Sequence, residues 1–360
     1  MIHQMRQVIL GILCLGLPSL TFAQQLPPEI KLKDYKPKSI FKMPESQIEK
    51  AKYPVIDMHS HDYSKTDQEV DERIKNMDAA GIQKTMILSY ATGATFDSVV
   101  ARYARYPDRF DIWCGFDYTG YDKPGWPEHA IKELERCHRM GAKGIGELGD
   151  KGEGLFYSKP TPAYGMHIDD PGMKPLLEKC AELHMPVIIH VADPMWMYLP
   201  MDSTNDGLMN AYEWRIDLTK KGILNHEQLI GTLRNAVAQN PKTTFIACHL
   251  ANCVYDLSIL GAMLDKLPNL YADIAARFEE TATIPRTVRS FYEKYQSRLV
   301  YGTDMGYDLT MYRNTFRILE TADEHFYQEH SYHWPLYGLE LSDQVLKKIY
   351  RDNALKIIGQ

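Results

Sequence analysis

Two histidines separated by one residue, His59 and His61, close the short apolar run Val55-Ile56-Asp57-Met58. Residues i and i+2 of an extended strand share a face. The pair is therefore presented side by side, either as two imidazoles able to share a metal ion or simply as two polar residues at a strand end. Four more residues of the same chemical kind close apolar runs further along. Glu147 follows Gly144-Ile145-Gly146, and His190 follows Pro186-Val187-Ile188-Ile189. His249 follows Phe245-Ile246-Ala247-Cys248, and Asp304 follows Val300-Tyr301-Gly302-Thr303. A satisfied polar residue at a strand end accounts for any one of these. Four histidines and two carboxylates at the same level of successive strands point to one shared site. Imidazole and carboxylate donors suit Zn²⁺, with Mn²⁺ or Fe²⁺ as alternatives.

Such a site needs a scaffold that brings distant strand ends together. Strands are expected at Val55–His59, Thr85–Ser89, Asp111–Phe116, Gly144–Leu148, Val187–Val191, Thr244–His249, Leu270–Ala275 and Leu299–Thr303. Amphipathic stretches alternate with them, among them Glu69–Ala80, Glu128–Met140, His226–Gln239 and Arg286–Tyr295, and Ser342–Ile358 closes the chain. Gly81, Gly141 and Pro241 punctuate helix ends. The strands are unbroken apolar runs, as parallel strands covered on both faces are. Eight β-then-α units suit an α/β fold of the (β/α)8 TIM-barrel kind, whose active sites lie at the C-terminal strand ends. A doubly wound sheet is disfavoured because no glycine-rich phosphate turn follows the first strand.

The chain has 360 residues and a formal net charge of −6, with no basic surface for nucleic acid. Residues 1–23 read as a signal peptide: Arg6, an apolar run from Val8 to Leu20, and Thr21-Phe22-Ala23 as cleavage site. The mature protein is expected to be exported, periplasmic or secreted, with no other membrane association. Residues 24–50 read as an N-terminal arm, and residues 51–360 as the barrel. Beyond Cys14, five cysteines remain, Cys114, Cys137, Cys180, Cys248 and Cys253, without paired spacing, which excludes a disulfide scaffold. Cys248 abuts His249. Strand alternation would point the two apart, so a buried structural cysteine is expected.

The pattern Asp57-x-His59-x-His61, with His190, His249 and Asp304 on strands five, six and eight, resembles the amidohydrolase superfamily. The ending Asp352-Asn353-Ala354-Leu355-Lys356-Ile357-Ile358-Gly359 resembles its amidohydrolase-2 branch, the aminocarboxymuconate-semialdehyde decarboxylase-like group. The resemblance implies that His59, His61, His190 and Asp304 bind the metal, with His249 beside it as ligand of a second ion or as an acid/base and polarising group. It implies that Asp304 moves a proton during the reaction. Glu147 stands where the superfamily often has a carboxylated lysine or a glutamate bridging two metals. Lys143 lies at the wrong end of the strand for that role. One ion is favoured over two, most simply zinc, with manganese as the alternative.

Two connections are unusually long and lie on the active-site side. Residues 149–171 contain Phe156, Tyr157, Tyr164 and His167. Residues 192–225 contain Trp196, Met197, Tyr198, Tyr212, Trp214 and Arg215. Their aromatic content suggests a lid or pocket wall. Arg277, Arg215, Trp196 and Tyr307 are the candidate substrate contacts, the arginines as carboxylate clamps. The expected function is hydrolysis of a small organic substrate (an amide, lactone or ester) by a metal-activated water. The alternative is nonoxidative decarboxylation of a small carboxylic acid on the same scaffold. A small-molecule substrate and a homodimer are the expected partners.

Overall fold

The computed structural model describes residues 29–155, 163–328 and 333–359. The expected signal peptide, Phe156 and Tyr157 lie outside the described residues. Among the described residues, those up to Lys36 form a unit of their own, which contains a 3-10 turn at Leu32–Asp34. The second unit, from Pro37 onward, contains everything that follows.

Its strands are β1 Val55–Ser60, β2 Ile82–Leu88, β3 Phe110–Trp113, β4 Ile145–Asp150, β5 Gly154–Leu155, β6 Ala163–Tyr164, β7 Val187–Val191, β8 Phe245–Ala247, β9 Leu270–Asp273 and β10 Leu299–Val300. Two-residue β5 and β6 form an antiparallel extension of β4. The other eight are parallel and coincide with the eight expected runs. They form a (β/α)8 barrel whose ladders run β1-β2-β3 and β10-β9-β8-β7-β4. Backbone hydrogen bonds cross both seams. Cys114 bonds to Gly144 and Gly146 between β3 and β4, at 3.0 and 2.8 Å. Met58 N–H donates to Tyr301 between β1 and β10, at 2.9 Å.

Both faces of the strands are buried, which is why they read as unbroken apolar runs. Outward residues such as Val55, Ile87, Val187, Phe245 and Leu270 pack on helix residues including Val70, Met77, Leu233, Leu260 and Phe316. Inward residues Ile56, Met58, Met86, Leu88, Trp113, Ile188, Ile246 and Val300 fill the lower barrel. The final helix, Asn353–Ile358, closes that end with Ala354, Leu355, Ile357 and Ile358. Asn353 ties it to the start of β10 by donating to Leu299 O at 2.7 Å.

The helices start and stop where their end residues dictate. Thr66 and Glu69 form a capping box before helix Asp67–Ala80, and Gly81 ends it with φ 85°. Asn225 and Gln228 do the same for helix His226–Gln239. Within the second unit, Ser46 bonds Asp323 on the barrel surface through its N–H and hydroxyl at 3.0 and 2.7 Å. The long connection after β7 contains an unexpected helix, Leu208–Trp214.

Candidate metal centre

The first pair of ligand candidates depends on an irregularity of β1. Asp57 stands opposite Thr85 of β2, but Ser60 stands opposite Ile87, so three steps on β1 span two on β2. This is a bulge at Met58–His59. Regular alternation would put His59 on the outward face of Val55 and Asp57. The bulge turns it inward, together with His61. Strand β4 repeats the device: Ile145 faces Val187 and Leu148 faces Ile189. Gly146 sits in this bulge at φ +154°, where a Cβ would fall 2.1 Å from Ile188 Cγ2. Only glycine permits that approach, and the bulge delivers Glu147 to the interior. His249 and Asp304 follow the ends of β8 and β10 with left-handed backbone, φ 59° and 51°. For a non-glycine residue that conformation costs about 1–2 kcal/mol.

The six residues converge. Glu147 Oε1 lies 3.1 Å from His190 Nδ1, 3.7 Å from His249 Nε2 and 3.8 Å from His59 Nε2. Its Oε2 lies 3.3 Å from His61 Nε2. Asp304 Oδ1 lies 3.0 Å from His61 Nε2 and 3.7 Å from His59 Nε2, and its Oδ2 3.6 Å from His249 Nε2. All are buried except His61 and Asp304, which reach the cavity with side chains 14% and 23% exposed.

Each imidazole is oriented by its outer nitrogen. Carbonyl oxygens only accept, so His61 Nδ1 donates to Leu88 O at 2.9 Å and His249 Nδ1 to Ala275 O at 2.9 Å. His190 uses its other nitrogen, Nε2, to donate to Ala192 O at 2.8 Å. His59 Nδ1 bonds Asp273 Oδ2 at 2.8 Å. Three Nε2 atoms and one Nδ1 therefore face the cluster, as metal-ligating histidines do when a second partner fixes the ring.

Electrostatics bind the cluster together. Burial opposes charge on His59, but Asp273, Asp304 and Glu147 outweigh it and raise its pKa to about 9. Burial also opposes charge on His61, which hydrogen bonds to Asp304 and Glu147 push well up. His249 goes the other way, lowered by burial and by His190, Arg277 and His59. Burial would raise Glu147, yet the surrounding histidines hold it well below the usual carboxylate range. Asp304 is likewise depressed by His59 and His61 against its burial. Buried carboxylates of this density call for positive charge between them. His59 Nε2 is fully buried and has no hydrogen-bond partner. That orphaned nitrogen, the oriented imidazoles and the carboxylate oxygens fit a divalent cation.

Above the cluster lies a cavity of about 420 Å³, lined by Tyr90, Lys151, Asp193, Met197, Asn210, Trp214 and Arg277 besides the polar cluster. Arg277 is buried. Its guanidinium donates to Asn252 Oδ1 at 3.1 and 2.5 Å and to Ala276 O at 2.6 Å. Glu280 lies 3.5 Å away, and burial raises its pKa to about 7 against the pull of Arg277. Lys151 pairs with Asp193 at 3.0 Å.

Three expected substrate contacts stand elsewhere. Trp196 packs on Trp334, ring centroids 5.0 Å apart, and Arg215 lies over Tyr212 at 5.6 Å. Tyr307 lies 5.4 Å from the Arg73 guanidinium. From the same long connection, Met197 and Trp214 line the cavity instead. Helical turns at Met195–Tyr198 and Leu208–Trp214 select them and turn their neighbours away. The alternation argument for Cys248 also fails, because β8 ends at Ala247. Cys248 is buried as expected, but it joins His249 at the floor of the cluster. Asp273 was missed. It closes β9 as Asp304 follows β10, and reading every strand end equally would have found it. Lys143 is exposed, away from the site.

Buried imidazoles and carboxylates at the C-terminal end of a parallel barrel define a metal-dependent barrel enzyme. The amidohydrolase family model matches residues 42–360, and the chain belongs to that family. Comparison with curated protein sequences gives no match. Among solved structures, the chain is similar to 2,6-dihydroxybenzoate decarboxylase from Rhizobium, with 17% identity, TM-score 0.52, and 85% of this chain and 99% of that one covered. It is similar to a dihydroxybenzoic acid decarboxylase from Polaromonas with bound manganese and 2-nitroresorcinol, at 16% identity, TM-score 0.54, and 85% and 97% coverage. A third is 5-carboxyvanillate decarboxylase from Novosphingobium aromaticivorans with manganese and a nitrobenzoic acid, at 16%, TM-score 0.52, and 86% and 97%. At these identities the likeness establishes the fold.

Proposed function

We propose that the protein is a divalent-metal-dependent decarboxylase that releases CO₂ nonoxidatively from a small hydroxy-carboxylic acid. The observation that carries this reading is Arg277. Its guanidinium lines the same cavity as the imidazole–carboxylate cluster and is locked by Asn252 and Ala276. A guanidinium so fixed keeps N–H groups for clamping a substrate carboxylate. The similar barrels named above are decarboxylases of aromatic acids, which supports the same choice.

His59, His61 and Asp304 would hold one ion, with Glu147 and His190 around it and His249 beside it, manganese by analogy with two of those barrels and zinc as the alternative. When bound, the ion draws charge from substrate oxygens and lowers the energy of the electron pair left on carbon. The protein's residues perform the remaining tasks. Arg277 orients the carboxylate, while Met197 and Trp214 wall the cavity. The bond between substrate carbon and carboxylate breaks with its electron pair left on that carbon, CO₂ departs, and the carbon takes up one proton. His249 Nε2 and Asp304 Oδ2, 3.6 Å apart, are placed to hold that proton. Tyr63 steadies Asp304 by donating to Oδ1 at 3.3 Å.

Hydrolysis of an amide, lactone or ester is the second reading. It is favoured by the partial exposure of Asp304, which lets water reach the His249–Asp304 pair. Manganese-loaded protein offered hydroxybenzoates, lactones and N-acyl compounds should release CO₂ from a hydroxybenzoate, and Arg277→Gln should abolish the release. Hydrolysis without CO₂ would replace the first reading by the second. The apolar run at residues 8–20 supports export. Protein recovered from a periplasmic fraction should begin near Gln24, and an intact Met1 would refute that.

A further inference from the structure

Cys248 has no part in the chemistry above, yet it lies in the floor of the same cluster. One ligand atom each from His59, Glu147, Cys248 and His249 lie within 4.8 Å of one another, all four residues buried. A second set, His59, His61 and Asp304, meets the same criterion nearer the cavity. The two sets differ in donor chemistry. The upper one offers imidazole and carboxylate alone, whereas the lower one adds a thiol. They also share His59, whose Nε2 is buried, points into the cluster and has no hydrogen-bond partner.

An imidazole nitrogen has a single lone pair, so His59 Nε2 can serve one ion at a time. The two sets are thus alternative positions for one cation rather than a two-ion centre. Ligand softness decides between them: thiolate selects thiophilic ions such as cadmium and zinc, while carboxylate and imidazole accommodate manganese.

We propose that Cys248 completes a second, deeper metal position, formed with His59, Glu147 and His249, which captures thiophilic divalent ions and holds them away from the His61–Asp304 position. On binding there, the thiol proton leaves to solvent and the sulfur binds as thiolate. A harder ion takes the upper position, next to the cavity and Arg277. Metal identity then sets where the ion sits. A soft ion would occupy the centre without reaching the substrate side. The inference rests on the metal site alone and not on the reaction catalysed there.

The test uses the full chain, stripped of metal and titrated separately with Cd²⁺ and Mn²⁺. Wild-type protein should show a near-ultraviolet thiolate-to-cadmium charge-transfer band reaching its maximum at one equivalent. Cys248→Ser should lose the band and bind cadmium at least about tenfold more weakly, with manganese affinity within about twofold of wild type. Cys253→Ser should keep the band. X-ray absorption of wild-type cadmium protein should count one sulfur neighbour, a readout that stands even where a variant misfolds. An absent sulfur neighbour, a band that survives in Cys248→Ser, or an equal loss of manganese and cadmium binding in that variant would each overturn the proposal. None of these readouts depends on CO₂ release, so a failed decarboxylase assay leaves them interpretable.

Discussion

Near its N-terminal end the barrel holds Ile56, Met58, Met86, Leu88, Ile188, Ile246 and Val300, sealed by the helix Asn353–Ile358. A few residues further along the same strands it holds four imidazoles and the carboxylates of Glu147, Asp273 and Asp304. The lower layer follows plain alternation and gains about 1.5–3 kcal/mol for each large apolar side chain removed from water. The upper layer departs from alternation on β1 and β4, and at His249 and Asp304 the backbone is left-handed. It buries charged groups whose desolvation is offset only by one another or by a cation. The contrast shows how one barrel divides its duties. Packing at one end supplies the stability that lets the other hold polar, strained residues in reactive positions.

Substitutions at the two ends should separate activity from stability. The largest expected effect is at the mouth: Asp304→Ala should lower turnover by about 100- to 10,000-fold, with a denaturant midpoint no lower than wild type for metal-free protein. A variant that kept full turnover would remove Asp304 from the mechanism. At the floor, Ile246→Ala should reduce unfolding free energy by about 2–5 kcal/mol, yet leave turnover per folded, metal-loaded molecule unchanged. A large fall in that turnover would erase the distinction between the layers.

Asp273 sharpens the comparison, because it acts on the mouth from behind. Its carboxylate accepts from His59 Nδ1, from His249 N–H at 2.7 Å and from Ala275 N–H at 3.0 Å. Asp273→Asn should weaken manganese binding by about 10- to 100-fold, measured by competition with a chelating dye. Unchanged affinity would reduce Asp273 to a backbone brace.

The smallest expected effect is on pH dependence. Burial raises the pKa of Glu280 from 4.5 to about 7. The folded state therefore binds this proton more tightly than the unfolded one. The group's stabilising effect is complete below about pH 4.5 and is lost as pH rises to about 7. Over that window the Glu280 contribution to unfolding free energy should fall by about 2–3 kcal/mol, an order-of-magnitude figure. In Glu280→Gln the fall should disappear from denaturant curves measured from pH 4.5 to 8. An identical pH profile in both proteins would show that Glu280 titrates normally.

Much of this organisation is legible in the sequence because burial on both faces leaves a strong trace. Strands such as Val187–Val191 are apolar throughout, and a polar residue after such a run stands out as a strand-end group. That rule finds His59, Glu147, His190, His249 and Asp304. Asp273, which ends Leu270-Tyr271-Ala272 in the same way, obeys the rule too, and is the partner of His59 left out of the expected ligands. The cavity wall is not legible in this way. Trp196 and Trp214 look equivalent as residues, but only the turns they fold into decide that Trp214 faces the cavity. An aromatic residue in a long connection carries no periodicity from which its direction can be read.

The sequence by itself determined the barrel, the family and the set of polar groups at its mouth, because hydrophobic periodicity and residue chemistry are local properties. Tertiary structure alone decided which way those groups point. His59 and His61 are two residues apart under any register, but only the bulge against β2 turns them toward Glu147 and Asp304 rather than toward the helices. A bulge belongs to the pairing of two strands, so no single stretch of sequence contains it.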